Sequence, residues 1–278
     1  MVHATAQQAE SEAIEASVNY ILNNGEKLFT ETAGAGERDV RTGGTLDPHS
    51  VVIRNARLHA GGFALDRDGF VFVRHDTKVA DFFDEDEIRR VYYPEMEALV
   101  KAQSGASRVV IFDHTLRTAD DKQRAARKIR ETVRRVHNDY TEWSGPQRVR
   151  DLLPDEADAL LRGRFAIVQV WRPINHPVET APLAICDARS ISTDDLVISE
   201  RRYPNRIGQT YAVTYNPGHR WYWLPHMRPE EALVFKVYDS SKDGRARWSA
   251  HTAFDDPASP PHARPRESIE IRTLAFFD

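Results

Sequence analysis

With 278 residues, 41% hydrophobic and 29% charged, the chain has the make-up of a globular protein with a sizeable core, and no stretch approaches the roughly 20 consecutive apolar residues that cross a bilayer. A net charge of −4 argues against a nucleic-acid binder, and the polar, acidic start "MVHATAQQAESEAIEAS" lacks the basic and apolar parts of a secretory signal. The single cysteine, Cys186, can form no internal disulfide, so a cytoplasmic protein is expected.

In chain order, a helix is expected over 11–24, closed by Asn24-Gly25, and then a Gly- and Thr-rich loop over 31–48. Strands are expected at 50–58 and 69–74. A helix is expected over 84–103, where Ile88, Val91, Tyr92, Met96, Leu99 and Val100 recur at helical spacing. "SRVVIFDHTLR" (107–117) reads as a buried strand. "KQRAARKIRETVRR" (122–135) reads as an amphipathic helix with a solvated basic face, and a shorter helix fits 146–161.

From 164 onward the short strand-like runs follow one another: "RFAIVQVWR", "LAICDARSI", "DLVISERRY", "TYAVTYNP", "RWYWLP", "ALVFKVYDS", "SAHTAF" and "SIEIRTLAFF". Pro, Gly, Asn or Asp breaks separate them, the pattern of a sandwich, jelly roll or small barrel. The expectation is one mainly β domain with flanking helices. Its amino-terminal part, 1–105, would be helical or mixed, and its core would be 106–278.

The basic run ends in "RRVHNDYTEWSG" (134–145), where His137 and Asp139 stand two apart. In a chain with 11 histidines and 42 acidic residues, chance supplies about one or two such triplets. The pair is therefore either a polar turn or two ligands of one metal, since i and i+2 share a face in extended structure. Two histidines and a carboxylate on one side of a metal make a non-haem iron site with open positions. His137 is the only histidine here with Asp two residues on, and His251, in the strand-like "RWSAHTAF", is the candidate third ligand. His219, His226 and His176 lie beside Pro or Gly, in turns. Farther on, "ARPRESIEIR" places Arg266 and Ser268 two apart at the start of a strand, with Arg264 sharing that face. A guanidinium with a hydroxyl beside it is suited to the far end of a dicarboxylate such as 2-oxoglutarate.

Together, His137-x-Asp139, His251 and Arg266-x-Ser268 resemble the signature of the iron(II)/2-oxoglutarate-dependent oxygenases. "VWRPI" (170–174), "YNPGHRWYWLPHMRPEEALVFKVYDS" (215–240) and "HTAFDDP…RESIEIR" (251–272) resemble the branch holding fungal gibberellin desaturase and the hydroxylase of cephalosporin 7-methoxylation. The likeness covers roughly 105–278. It implies a double-stranded β-helix (a jelly roll), with iron(II) on His137, Asp139 and His251 and 2-oxoglutarate held by Arg266 and Ser268. It further implies use of O2 and oxidation of a small, secondary-metabolite-like substrate by hydroxylation, desaturation or cyclisation, with release of succinate and CO2. Arg266 follows His251 at a wider spacing than is common in the wider family, which keeps Arg264 and Lys236 open as the co-substrate anchor. Trp171, Arg172, Trp221, Tyr222 and Trp223 are the candidate substrate residues. Trp221 and Trp223 share one strand face and Tyr222 takes the other, so only one set points inward, with Arg172 expected to side with it. Two other readings stay open: a non-oxidative jelly-roll metalloenzyme, and a non-catalytic module whose basic helix meets an acidic partner.

Overall fold

The computed structural model describes residues 11–31, 40–118, 120, 130–204 and 206–278. Its strands form two sheets. The larger has the spatial order β1 (Ala13–Ile21), β4 (Leu46–Asn55), β12 (Trp221–Trp223), β9 (Leu183–Cys186), β14 (His251–Ala253), β7 (His137–Asn138), β11 (Arg206–Val213), β10 (Leu196–Tyr203), β2 (Leu28–Glu31) and β3 (Val40–Thr42). The smaller runs β5 (Phe70–Arg74), β13 (Glu231–Asp239), β8 (Phe165–Pro173), β15 (Glu267–Phe276) and β6 (Arg108–Thr118). Between them lies an apolar cluster in which Phe165, Leu233 and Phe235 of the small sheet join Ile185, Tyr211 and Tyr222 of the large one. This is the expected mainly β jelly roll.

The inner strands of the small sheet, β13, β8 and β15, are buried on both faces and read as near-continuous apolar runs. In β15, Ile269, Ile271 and Ala275 face outward against Met96, Leu99 and Val100 of the helix α1 (Tyr93–Ser104), while Leu274 and Phe276 face the inter-sheet cluster. Asp84 caps the helical turn leading into α1, its carboxylate accepting from the backbone N–H groups of Asp86 and Glu87. Gly105, at φ 75°, ends α1 in the left-handed conformation that glycine adopts without strain.

Four expectations are corrected. Residues 11–24 form a strand, not a helix: Ala16, Val18 and Tyr20 are buried while Ser17 is exposed and Asn19 half-buried, a period of two. β1 pairs along its whole length with β4, so Leu46–Asp47–Pro48, expected as loop, are strand. With β1 and β4 in the large sheet, β5 on the edge of the small one and α1 following, the amino-terminal part is mixed, as expected. Of the basic run, 121–129 lie outside the described residues; 130–136 are extended, with Arg130 bridging Arg117 and Arg135 bridging Asn19. The helix expected at 146–161 comes as α2 (Ser144–Leu152) and α3 (Ala157–Leu160), because Leu153 precedes Pro154 and leaves helical geometry.

Ile271 is wholly buried between β15 and α1. Ile271→Ala should lower unfolding free energy by about 2–5 kcal/mol, with the urea midpoint falling and the slope unchanged.

Candidate metal centre

β7 is two residues long and lies between β14 and β11, with His137 directly opposite His251. That pairing sets the two imidazole centroids 4.3 Å apart. Asp139, where the chain leaves β7, turns its carboxylate to the same point. One ligand atom from each of His137, Asp139 and His251 lies within 4.8 Å of the others.

The hydrogen bonds around the three side chains leave the converging atoms available. Nδ1 of His137 lies 2.8 Å from the carbonyl of Arg135, and Nδ1 of His251 lies 3.1 Å from that of Ser249. A carbonyl only accepts, so each Nδ1 carries the proton and each Nε2 presents a lone pair. Asp139 Oδ2 accepts from Gln169 at 2.7 Å and from Arg272 at 3.4 Å, while Oδ1 faces His137 Nε2 at 3.5 Å.

The electrostatics suit a metal ligand set. Burial pushes His137 down to about 3, with His251 adding to the effect, so its imidazole is neutral. Burial would raise the Asp139 carboxyl, but Arg272 above all, then His137, His251 and the Gln169 hydrogen bond, hold it well below the usual carboxylate range.

Behind the triad is a small pocket lined by Trp171, Leu183, Arg117, Arg266 and Glu270. Arg266 is buried, its guanidinium 5.4 Å from the Trp171 ring, with one nitrogen donating to Ala181 O. Among the described residues, Arg266 Nε and Ser268 Oγ have no hydrogen-bond partner. Buried polar atoms without partners are costly, and these two stand beside the triad, where a polar group from outside could satisfy them. In front of the triad opens a cleft of about 330 Å³, of small-molecule size.

The comparisons with known proteins agree with this geometry. Residues 18–276 match a family described as "Oxidoreductase/YMDC permease-like domain". The chain is 32% identical to the alpha-ketoglutarate-dependent dioxygenase phiK of a fungal species, over 97% of this chain and 98% of that one. It is 33% identical to the hydroxylase/desaturase efuI of Hormonema carpetanum, over 94% and 96% of the two chains. The chain belongs to the iron(II)- and 2-oxoglutarate-dependent dioxygenases. A solved structure of the iron and alpha-ketoglutarate-dependent endoperoxidase NvfI superposes with a TM-score of 0.83 at 29% identity, covering 96% of this chain and 98% of that one. Membership of this family favours an oxygenase over the non-oxidative enzyme and the binding module.

Within that frame, several expected site residues lie elsewhere. Lys236 is buried with Nζ engaged by Asp66, Asp239 and the carbonyl of Ala246, so no donor is left for a co-substrate. Arg264 is exposed and paired with Glu179. Arg172, next to Trp171 on β8, points to the opposite face, where it donates to the His75 carbonyl and lies 5.6 Å over the Tyr92 ring. Trp221 and Trp223 pack beneath β1 and β4, with Trp221 Nε1 donating to the Tyr20 hydroxyl. Tyr222 does face inward, but into the inter-sheet core against Phe63 and Phe70. His219 sits in that outer region, bonded to Tyr20 and Asp195, and takes no part in the triad.

Gln169, Glu270 and Arg272 were missed. The signal was available: "VQVWR" and "SIEIRT" put Gln169 with Trp171, and Ser268 with Glu270 and Arg272, on one face of otherwise apolar strands. Gln169→Leu keeps the volume but removes the donor to Asp139 Oδ2. Divalent-metal affinity, read by titration with manganese(II), should fall about 10–100-fold while the fold is retained.

Proposed function

We propose that His137, Asp139 and His251 ligate iron(II), that Arg266 and Ser268 hold the far carboxylate of 2-oxoglutarate, and that the open cleft receives a small organic substrate. The observation carrying this reading is a pair of facts in one place. Two imidazole lone pairs and a carboxylate oxygen converge, and beside them stand the buried Arg266 Nε and Ser268 Oγ, neither with a hydrogen-bond partner among the described residues. Bound iron(II) with 2-oxoglutarate and O2 would supply the oxidising chemistry, releasing succinate and CO2 as the substrate is hydroxylated, desaturated or cyclised. The chain's own residues orient and screen. Carbonyls of Arg135 and Ser249 fix the two rings, and Gln169 and Arg272 fix the carboxylate. Phe235, its ring 4.9 Å from that of His251, packs an apolar face against the inner side of the triad. Trp171 lies under Arg266, where its face stabilises the cation and its edge borders the co-substrate. We place the whole chain in one oxygenase domain and in the cytoplasm, in keeping with the unpaired, buried Cys186.

Anaerobic addition of iron(II) and 2-oxoglutarate should produce the visible charge-transfer band of the chelate. Asp139→Ala and His251→Ala should abolish both the band and turnover. Full iron content and turnover in His251→Ala would overturn the ligand assignment. Arg266→Ala should remove about 2–5 kcal/mol of co-substrate binding, more than tenfold in the 2-oxoglutarate constant. Arg264→Ala, which breaks only an exposed ion pair, should leave that constant unchanged.

A further inference from the structure

The cleft in front of the triad is lined by eight arginines and three aspartates, in a chain whose net charge is negative. The aspartates offset only part of that excess, because two of the three share one of the eight arginines, Arg272. Asp113 and Asp139 are both engaged by Arg272, and Asp151 accepts from Gln147. The positive charge gathers at one place. Thr30 of β2 is directly opposite Arg41 of β3 on one side and Arg201 of β10 on the other, so two guanidiniums flank one buried threonine across adjacent strands. The two arginines share one face of the sheet, two strand spacings or about 10 Å apart.

Arg135 joins them from the extended segment before β7. It is half-buried, and Arg41 and Arg201 are near enough to act on it as like charges. Its Nη1 lies 3.1 Å from where a Cβ on Gly44 would stand, so the glycine, at φ 78°, makes room for the guanidinium. Among the described residues no carboxylate pairs with Arg135 or Arg41. By contrast, Arg148 of the same cleft lies over the Phe112 ring, and Arg206 over that of Tyr203. Exposed Trp143 and Ile207 add an apolar rim to the cleft.

Resting on the oxygenase reading above, we propose that the organic substrate is a carboxylate with an apolar skeleton, and that Arg41, Arg135 and Arg201 receive its anionic end. A carboxylate among three guanidiniums accepts charge-assisted hydrogen bonds and relieves their mutual repulsion. The apolar skeleton then lies over Phe112, Trp143 and Ile207. This site is separate from the pocket of Arg266, so substrate and co-substrate carboxylates do not compete.

The test uses the full chain loaded with manganese(II) and saturating 2-oxoglutarate under anaerobic conditions, titrated calorimetrically with 2-naphthoate and, in parallel, with its neutral methyl ester. The acid should bind about tenfold or more tighter than the ester, the equivalent of one charge-assisted hydrogen bond. Binding should weaken on raising ionic strength to about 0.3 M. Arg41→Gln and Arg201→Gln should each cost the acid most of that advantage and leave the ester and 2-oxoglutarate untouched. Arg135→Gln should do the same where it folds, and the other two variants carry the test where it does not. Equal binding of acid and ester, variants that bind the acid as the parent does, or loss of acid binding at saturating 2-oxoglutarate would each overturn the proposal. A chain that binds neither metal nor 2-oxoglutarate overturns the oxygenase reading instead, and the acid–ester comparison on the metal-free chain then still reports on the cleft.

Discussion

Everything at the centre depends on one backbone pairing, His137 of β7 opposite His251 of β14. Residues far apart in sequence are brought into register by a strand two residues long, held between neighbours on both sides. Once that pairing is made, the spacing of His137 and Asp139 delivers the carboxylate to the same point. The ring orientations follow from carbonyls two residues upstream of each histidine. A slip of one residue in either strand would turn an imidazole to the other face and dismantle the site. The surrounding strands serve to fix that register.

The second constraint is charge. Asp139, Glu270, Arg272, Arg117 and Arg266 all face the space between two apolar sheets, where an unpaired charge is expensive. Arg272 resolves most of this by engaging Asp113, Asp139 and Glu270 at once. Arg266 forms no ion pair among the described residues, and burial, then Arg117, push its guanidinium down to about 9 against the pull of Glu270. That is a poor arrangement for stability and a good one for capturing a carboxylate.

Much of this was legible in the sequence because it rests on short-range spacing. His-x-Asp, Arg-x-Ser and the strands after 164 are period-two patterns, and the structure places each on a strand or in extended chain. The failures have a common cause as well. Residues 11–24 carry apolar side chains that fit a helical and an alternating pattern about equally, and only pairing with β4 decides between them. Arg172 was grouped with Trp171 by adjacency, yet adjacent strand residues face opposite ways, and both faces of β8 are buried. For the aromatic run, sequence showed that Trp221 and Trp223 oppose Tyr222. It could not show that β1 and β4 would cover the tryptophans and core residues the tyrosine, since those contacts are long-range. Lys236 looked available because its partners, Asp66 and the Ala246 carbonyl, come from distant segments.

The distribution of acids explains how an acidic chain presents a basic cleft. Asp66, Asp239 and Asp243 are gathered in one cluster with Lys236, Arg164 and Arg245, and Asp187 takes both Arg189 and Arg220. Glu231 holds Arg57, and Glu142 holds Arg247. These pairs neutralise charge away from the triad, so the arginines around the opening keep their field. A cleft with low-dielectric walls concentrates such a field, drawing anions in and orienting them before contact. The same separation suits an oxidation coupled to a dicarboxylate. In the proposed arrangement the co-substrate's charge would be met in the inner pocket by Arg266 and the substrate's at the outer row, so that each could be recognised without displacing the other and the distance between the two grips would set which C–H bond is oxidised.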